Sequence, residues 1–228
     1  MTMIRDNLQQ VTARIVTACT AAGREPASVR LLAVSKTFPA EAVRDAYGAG
    51  QRAFCENYIQ EGVSKIEALA DLRADLEWHC IGPLQSNKTR LVAEHFDWVH
   101  SIDRLKIAQR LSEQRSADLP PLQVCLQVNV DGGANKSGAS PDEALALAQA
   151  VAALPRLRLR GLMAIPEPAD GFDAQRALFM RAAAIFDRIK ATGIALDTLS
   201  LGMSADMEAA IAAGSTMVRV GTAIFGKR

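Results

Sequence analysis

The sequence predicts an α/β protein, a single (β/α)8 barrel of the TIM type with one extra helix at its N-terminus. Three observations predict it. Short β-like runs alternate with amphipathic helical segments along the chain, and that alternation implies parallel strands joined by helical crossovers. Eight strand candidates occur, most of them apolar almost throughout, as strands covered on both faces are. The length, 228 residues, lies close to the roughly 250 usual for eight such units. A doubly wound dinucleotide fold would show Gly-x-Gly-x-x-Gly after its first strand. Here that strand is followed by Ser35-Lys36-Thr37, with no glycine, and no Walker A pattern occurs.

Taken in order, helix-like spacing covers 4–22 and ends at Gly23. Strands are predicted at 31–35, 52–55, 77–81, 98–101, 123–130, 161–165, 198–202 and 217–220. Helices are predicted between them at 40–47, 58–74, 85–95, 104–116, 141–153, 173–191 and 205–213. Ser140-Pro141-Asp142-Glu143 reads as an N-cap, a proline at the first helical position and a capping-box acid. Gly193 and Gly214 fall where a left-handed residue closes a helix. Residues 131–139 are the most loop-like stretch, and no linker or composition break divides 1–228. Arg156, Arg158 and Arg160 alternate with leucine, as on a solvated strand edge.

Composition narrows the function classes. Hydrophobic residues make up 49% and charged residues 22%, with mean hydropathy +0.05, which is globular. Net charge is +1, from 26 basic and 25 acidic residues, so nothing argues for nucleic acid or an anionic membrane. No apolar run approaches the roughly 20 residues that span a bilayer. The first ten residues lack an apolar signal core, so the expected compartment is cytoplasmic. Cys19, Cys55, Cys80 and Cys125 form no Cys-x-x-Cys pair and read as buried thiols. His79 and Cys80 are adjacent on a strand and face opposite ways, so no metal site is expected.

In a barrel the active site lies where the strands end. Polar or close-approach residues collect there: Lys36, Glu56, Asn57, His79, Gly82, Ser101, Asn129, Met163 with Pro166, Ser204, Gly221 and Thr222. Lys36 follows a buried strand, so its amine would enter the mouth. A surface lysine is the more frequent outcome, but an amine in an apolar mouth can act as a Schiff-base nucleophile. Ser204 reads as an N-cap or as a phosphate ligand. Gly221 and Thr222 end the eighth strand, where barrels commonly hold phosphate. Arg219, within that strand, needs either a core carboxylate or a ligand nitrogen as partner. A lysine, a phosphate site and a ring-nitrogen partner together describe a pyridoxal phosphate pocket.

With those residues in place, the sequence resembles the YggS/PROSC family of pyridoxal 5′-phosphate-binding homeostasis proteins. The matching stretches are Ala33-Val-Ser-Lys-Thr37, Glu56-Asn-Tyr-Ile-Gln-Glu61 and Trp78-His-Cys-Ile-Gly-Pro-Leu-Gln-Ser-Asn-Lys88. They continue with Val99-His-Ser-Ile-Asp103, Val128-Asn129, Lys136-Ser-Gly138 and Arg160-Gly-Leu-Met-Ala-Ile165. The last are Leu201-Gly-Met-Ser-Ala-Asp206 and Val218-Arg-Val-Gly-Thr-Ala-Ile-Phe-Gly226. The resemblance implies a barrel of the alanine racemase kind, pyridoxal phosphate fold-type III. It implies Lys36 as the internal aldimine lysine, Ser204, Gly221 and Thr222 at the phosphate, and Arg219 at the pyridine nitrogen. Asn57, His79 and Met163 match positions lining the pocket, and Lys136 matches a second lysine suggested to contact or transfer the cofactor. Cys55, Cys80 and Leu201 depart from the usual Gly, Phe and Met.

The resemblance implies cofactor binding and delivery with little or no catalysis, with apo pyridoxal phosphate enzymes as partners and a monomeric state. An arginine facing the pyridine nitrogen leaves the ring a weak electron sink. The alternatives are a small amino-acid racemase, which would need a second base, usually tyrosine, whereas Tyr47 falls in a helix away from the strand ends and Tyr58 lies just past them, and a phosphate-sugar aldolase using Lys36. The chain ends soon after its eighth strand, so the second domain of a racemase is not expected.

Overall fold

The structure, a computed structural model, describes residues 3–132 and 137–226. Helix α1 (Met3–Ala21) opens the chain and buries Leu8, Val11, Ile15, Ala18 and Cys19, spaced three or four apart along one face. Eight strands follow: β1 (Arg30–Val34), β2 (Ala53–Glu56), β3 (Glu77–Cys80), β4 (Trp98–Ile102), β5 (Leu122–Gln127), β6 (Leu157–Met163), β7 (Thr198–Ser200) and β8 (Met217–Val220). They close into a barrel in sequence order. All pairs are parallel, and β8 meets β1 in the register Arg30–Met217 to Ala33–Val220.

Between the strands lie α2 (Ala40–Gly48), α3 (Ile59–Ala68), α4 (Thr89–His95), α5 (Leu105–Gln114), α6 (Ala144–Ala152), α7 (Phe172–Lys190) and α8 (Met207–Ala212). A one-turn helix, α9 (Thr222–Phe225), ends the described chain. Among the described residues no helix is long and apolar enough to cross a membrane.

Alternation along the strands builds two cores. Leu32, Val34, Ala53, Cys55, Cys125 and Met163 fill the barrel interior, while Ala33, Phe54, Trp78 and Cys80 pack outward under the helices. His79 and Cys80 do face opposite ways: His79 stacks on Trp98 at 5.3 Å, and Cys80 joins the outer layer.

Element ends differ from the sequence expectation in instructive places. The strand expected at 161–165 begins at Leu157, because Leu157 and Leu159 turn inward to the protein while Arg158 stays exposed. Arg160 forks onto Asp197 at 2.7–3.1 Å and lies over Trp98. The helix expected at 58–74 stops at Ala68 and gives way to a short 3-10 turn, Ala70–Leu72. Arg73 can then reach Asp97 and the His95 carbonyl. The Ser140–Glu143 box forms, with Glu143 N–H donating to Ser140 Oγ at 3.3 Å and Ser140 N–H to Glu143 Oε2 at 3.1 Å. It caps a turn that leads into α6 at Ala144. Gly193 and Gly214 are left-handed, with φ of 91° and 99°.

Candidate cofactor site

The β1–β8 register sets the geometry of the mouth. Ala33 pairs with Val220, so Lys36 leaves its strand beside Gly221 and Thr222. Gly221 is pressed against β1: a Cβ there would sit 3.2 Å from the Val34 carbonyl oxygen. Lys36 itself is half-buried.

The turn that carries Lys36 is held from behind. Thr37 adopts a left-handed conformation, φ 65°, uncommon for a β-branched residue. Its N–H donates to the Glu61 carboxylate, and its hydroxyl donates to the Lys36 carbonyl at 2.5 Å. Glu61 also accepts from Lys65 Nζ at 2.7 Å. Lys65 is 5% exposed and donates further to the Ser35 carbonyl at 2.6 Å and to Glu56 Oε1 at 2.8 Å. Ser35 Oγ donates to the same Glu56 oxygen at 2.6 Å. Burial pushes the Glu56 carboxyl up, against the pull of Lys65 and Ser35.

Next along the rim, after β2 and β3, Asn57 and Gly82 meet closely. A Cβ at Gly82 would fall 2.0 Å from the Asn57 carbonyl oxygen, so only glycine fits. Ser101 Oγ donates to the Gly82 carbonyl at 2.6 Å and fixes that approach. Asn57 lines a recess of about 300 Å³ with Ile81, Gln127 and Ile165, and its side-chain oxygen is buried without a hydrogen bond among the described residues. Met163, at the end of β6, is fully buried in the interior core.

Ser204 precedes α8 in a turn rather than starting the helix, which begins at Met207. Helix α1 ties that turn down: Arg14 donates to the Ser204 carbonyl at 3.0 Å and pairs with Glu208 at 2.8 Å. Asp206 accepts from the Met203 N–H at 2.6 Å, so its carboxylate is committed to its own turn. Thr222 is exposed at the start of α9. Lys136 lies outside the described residues.

Arg219 is 3% exposed and has no carboxylate in contact among the described residues. Its Nη1 donates to the Ser200 carbonyl at 2.5 Å and to Ser200 Oγ at 2.7 Å, and its Nη2 donates to the Ala164 carbonyl at 3.2 Å. A guanidinium has five N–H groups. Among the described residues, one on Nε and one on Nη2 meet no acceptor. Burial lowers the Arg219 pKa.

His79 lies deeper than the rim. It is fully buried, with Nε2 2.7 Å from Glu77 Oε1 and Nδ1 2.9 Å from His100 Nε2. Reading strand ends finds the rim and misses this layer: Glu77, His100 and Ser200 face inward two residues apart from other inward positions. The pairs Glu77–His79, Trp98–His100 and Thr198–Ser200 carry that period in the sequence. Lys65 was missed because a lysine in a helix normally faces water.

Tyr47 lies at the opposite face of the barrel, its hydroxyl 2.7 Å from Asp75 and its ring under Arg52. Tyr58 is 58% exposed beyond the end of β2.

The family model described as alanine racemase, N-terminal domain, matches residues 6–228. A pyridoxal phosphate homeostasis protein of Pseudomonas aeruginosa is 61% identical over 228 residues, all of this chain and 97% of that protein. One from Escherichia coli K12 is 58% identical over 229 residues, covering all of this chain and 98% of that protein. The solved structure of PipY from Synechococcus elongatus PCC7942 with PLP bound is 38% identical, superimposes with a TM-score of 0.83, and covers 98% of this chain and 100% of its own. With full-length identity at this level and the same closed barrel, the chain belongs to the family of pyridoxal phosphate homeostasis proteins, on the alanine racemase N-terminal fold.

Proposed function

We propose that this chain binds pyridoxal 5′-phosphate in the mouth of the barrel and takes part in its homeostasis, holding it for release or delivery to apoenzymes rather than turning over a substrate. The observation that carries this reading is Arg219. A buried guanidinium without a carboxylate is costly unless something else satisfies it. Two free N–H groups suit an unprotonated ring nitrogen. The residues around it fit the rest of the cofactor. Lys36 supplies an amine that captures an aldehyde with loss of one water. Ser204, Gly221 and Thr222 supply hydroxyl and backbone donors for the phosphate. Asn57 and Met163 line the wall.

Bound pyridoxal phosphate supplies an electron sink. Arginine stays protonated and only donates, so the ring nitrogen it faces keeps its lone pair and the sink is weak. Proton transfer needs a base in reach of the substrate. His79 has both ring nitrogens committed below the rim. Tyr47 is engaged with Asp75 at the far face. These side chains favour a carrier over a racemase.

The test is the near-ultraviolet and visible spectrum of wild type and Lys36→Ala, before and after borohydride. Wild type should show a cofactor band that borohydride bleaches, and Lys36→Ala should lack it. No band in wild type after adding pyridoxal phosphate would overturn the reading and revive the aldolase.

A further inference from the structure

Four strands contribute to one hydrogen-bonded file through the barrel interior. Glu77 opens it at the N-terminal face, where its carboxylate pairs with Arg30 at 2.6 Å. His79 Nε2 lies 2.7 Å from Glu77 Oε1, and His79 Nδ1 lies 2.9 Å from His100 Nε2. His100 Nδ1 lies 2.9 Å from Ser200 Oγ, which accepts from Arg219 Nη1 at 2.7 Å. His79, His100 and Ser200 are all fully buried.

Chemistry fixes the direction of every hydrogen in this file. A guanidinium only donates, so Ser200 Oγ accepts from Arg219. The hydroxyl hydrogen must then go elsewhere, and His100 Nδ1 is the acceptor it meets among the described residues. His100 therefore carries its hydrogen on Nε2 and donates it to His79 Nδ1. His79 carries its hydrogen on Nε2 and donates it to Glu77. Starting instead from Glu77, a carboxylate that only accepts, the same assignment results. One hydrogen lies in each link, both imidazoles are neutral, and all four ring nitrogens are paired. A cation at one end and an anion at the other polarise the file in the same sense.

We propose that His79, His100 and Ser200 are positioning residues for Arg219, forming a one-way hydrogen-bond relay that anchors its Nη1 edge to Glu77 at the opposite face and leaves the Nε–Nη2 side to face the mouth. The relay rests on the cofactor reading only for what Arg219 then meets. Its own geometry stands without a ligand. It also removes both histidines from acid–base work, since a hydrogen displaced along the file would have to leave Arg219.

The test uses long-range 1H–15N spectra of the histidine side chains and the Arg219 guanidinium, on protein with and without pyridoxal phosphate. Both buried imidazoles should be neutral Nε2–H tautomers in either state, and the Arg219 N–H signals should be sharp and slow to exchange. Ser200→Ala keeps the Arg219 bond to the residue-200 carbonyl and removes only the hydroxyl link. It should broaden the guanidinium signals, shift the absorption of bound cofactor and weaken its binding several-fold, and, because His100 Nδ1 loses its buried donor, lower the Tm by about a few degrees while the protein stays folded. Ser200→Thr should restore the signals. An Nδ1–H tautomer or an imidazolium at either histidine in the wild type would overturn the relay, as would unchanged guanidinium signals in Ser200→Ala. If wild type takes up no pyridoxal phosphate, the functional reading fails while the ligand-free spectra still decide the relay.

Discussion

A neutral imidazole sealed inside a barrel makes stability depend on pH. Burial holds His79 below the ordinary histidine value and His100 well below it. The charged groups facing the pair are Glu77, Arg30, Asp97 and Arg219, and burial outweighs them. With the folded values depressed, the unfolded chain takes up protons first as pH falls. The stability is therefore complete above about pH 6.5 and is lost on acidification, by up to about 1.4 kcal/mol per pH unit for each imidazole. Burial raises the Glu77 carboxyl, but the bond from His79 and the charge of Arg30 bring it below its usual value, so its loss comes only under about pH 4.5. Glu56 has the opposite sign: its folded value is raised, so its share is present at low pH and fades as pH rises. Between pH 6.5 and 5 the histidines should dominate, and urea midpoints should fall steadily across that interval. A flat profile would mean that the imidazoles are charged or hydrated in the native state. None of this was legible from the strand ends, which identified His79 but not its partners. The information lay in the two-residue period of inward positions, and a residue such as Ser200 has nothing chemical to distinguish it until Arg219 is beside it.

At the scale of elements, two polar devices position the mouth and the base. The first is the Lys65 cluster, which joins α3 to the ends of β1 and β2. Lys65 is the counter-ion of a fully buried Glu56 and the partner of Glu61, whose carboxylate holds the left-handed Thr37. Replacing Lys65 with methionine keeps most of the volume and strands Glu56. Losing one partner of a buried pair costs about 3–5 kcal/mol. Lys65→Met should lose that much at about pH 7 by urea unfolding, and less as pH falls, because burial raises the Glu56 carboxyl and favours its neutral form. A loss under about 0.5 kcal/mol would place Lys65 among surface charges of no energetic weight. The second device is a set of arginines at the N-terminal face, where the helices end and their carbonyls point out. Arg115 donates to the Ala93 and Phe96 carbonyls, Arg73 to that of His95, and Arg52 to that of Tyr47. Cations at helix C-termini are favoured by the dipole, which accounts for this basic rim without a ligand. Apolar runs located all eight strands, because burial on both faces imposes them, and amphipathic spacing located α1 to α8, but nothing in the spacing marked the one-turn α9. Helix ends slipped where such an arginine, Arg73 for example, pulls the chain into a tighter turn.

At the scale of the whole molecule, closure depends on how tightly neighbouring strands approach where the register shifts. The β5–β6 register shifts between Val124 and Cys125, and Gly161 then pairs with Cys125 on one side and Thr198 on the other. A Cβ at Gly161 would lie 1.7 Å from the Thr198 carbonyl oxygen. That oxygen is backbone, so the clash can be relieved only by parting β6 from β7. The two strands carry Met163 and Ser200, and β6 leads directly into Ala164, whose carbonyl accepts from Arg219. Closure and site geometry therefore share one contact. Gly161→Ala should cost more than about 4 kcal/mol, the range reserved for disrupted cores and backbone strain, and should loosen cofactor binding in whatever fraction still folds. Gly48, in the last turn of α2, has nothing within 4 Å of the same added atom. Gly48→Ala should instead be neutral or stabilise by up to about 1 kcal/mol, through the entropy of the unfolded chain. Urea unfolding of both variants beside the wild type decides it. Equal midpoints would mean that the barrel relaxes freely at β6, and that the approach seen at Gly161 sets neither the closure nor the aim of Arg219.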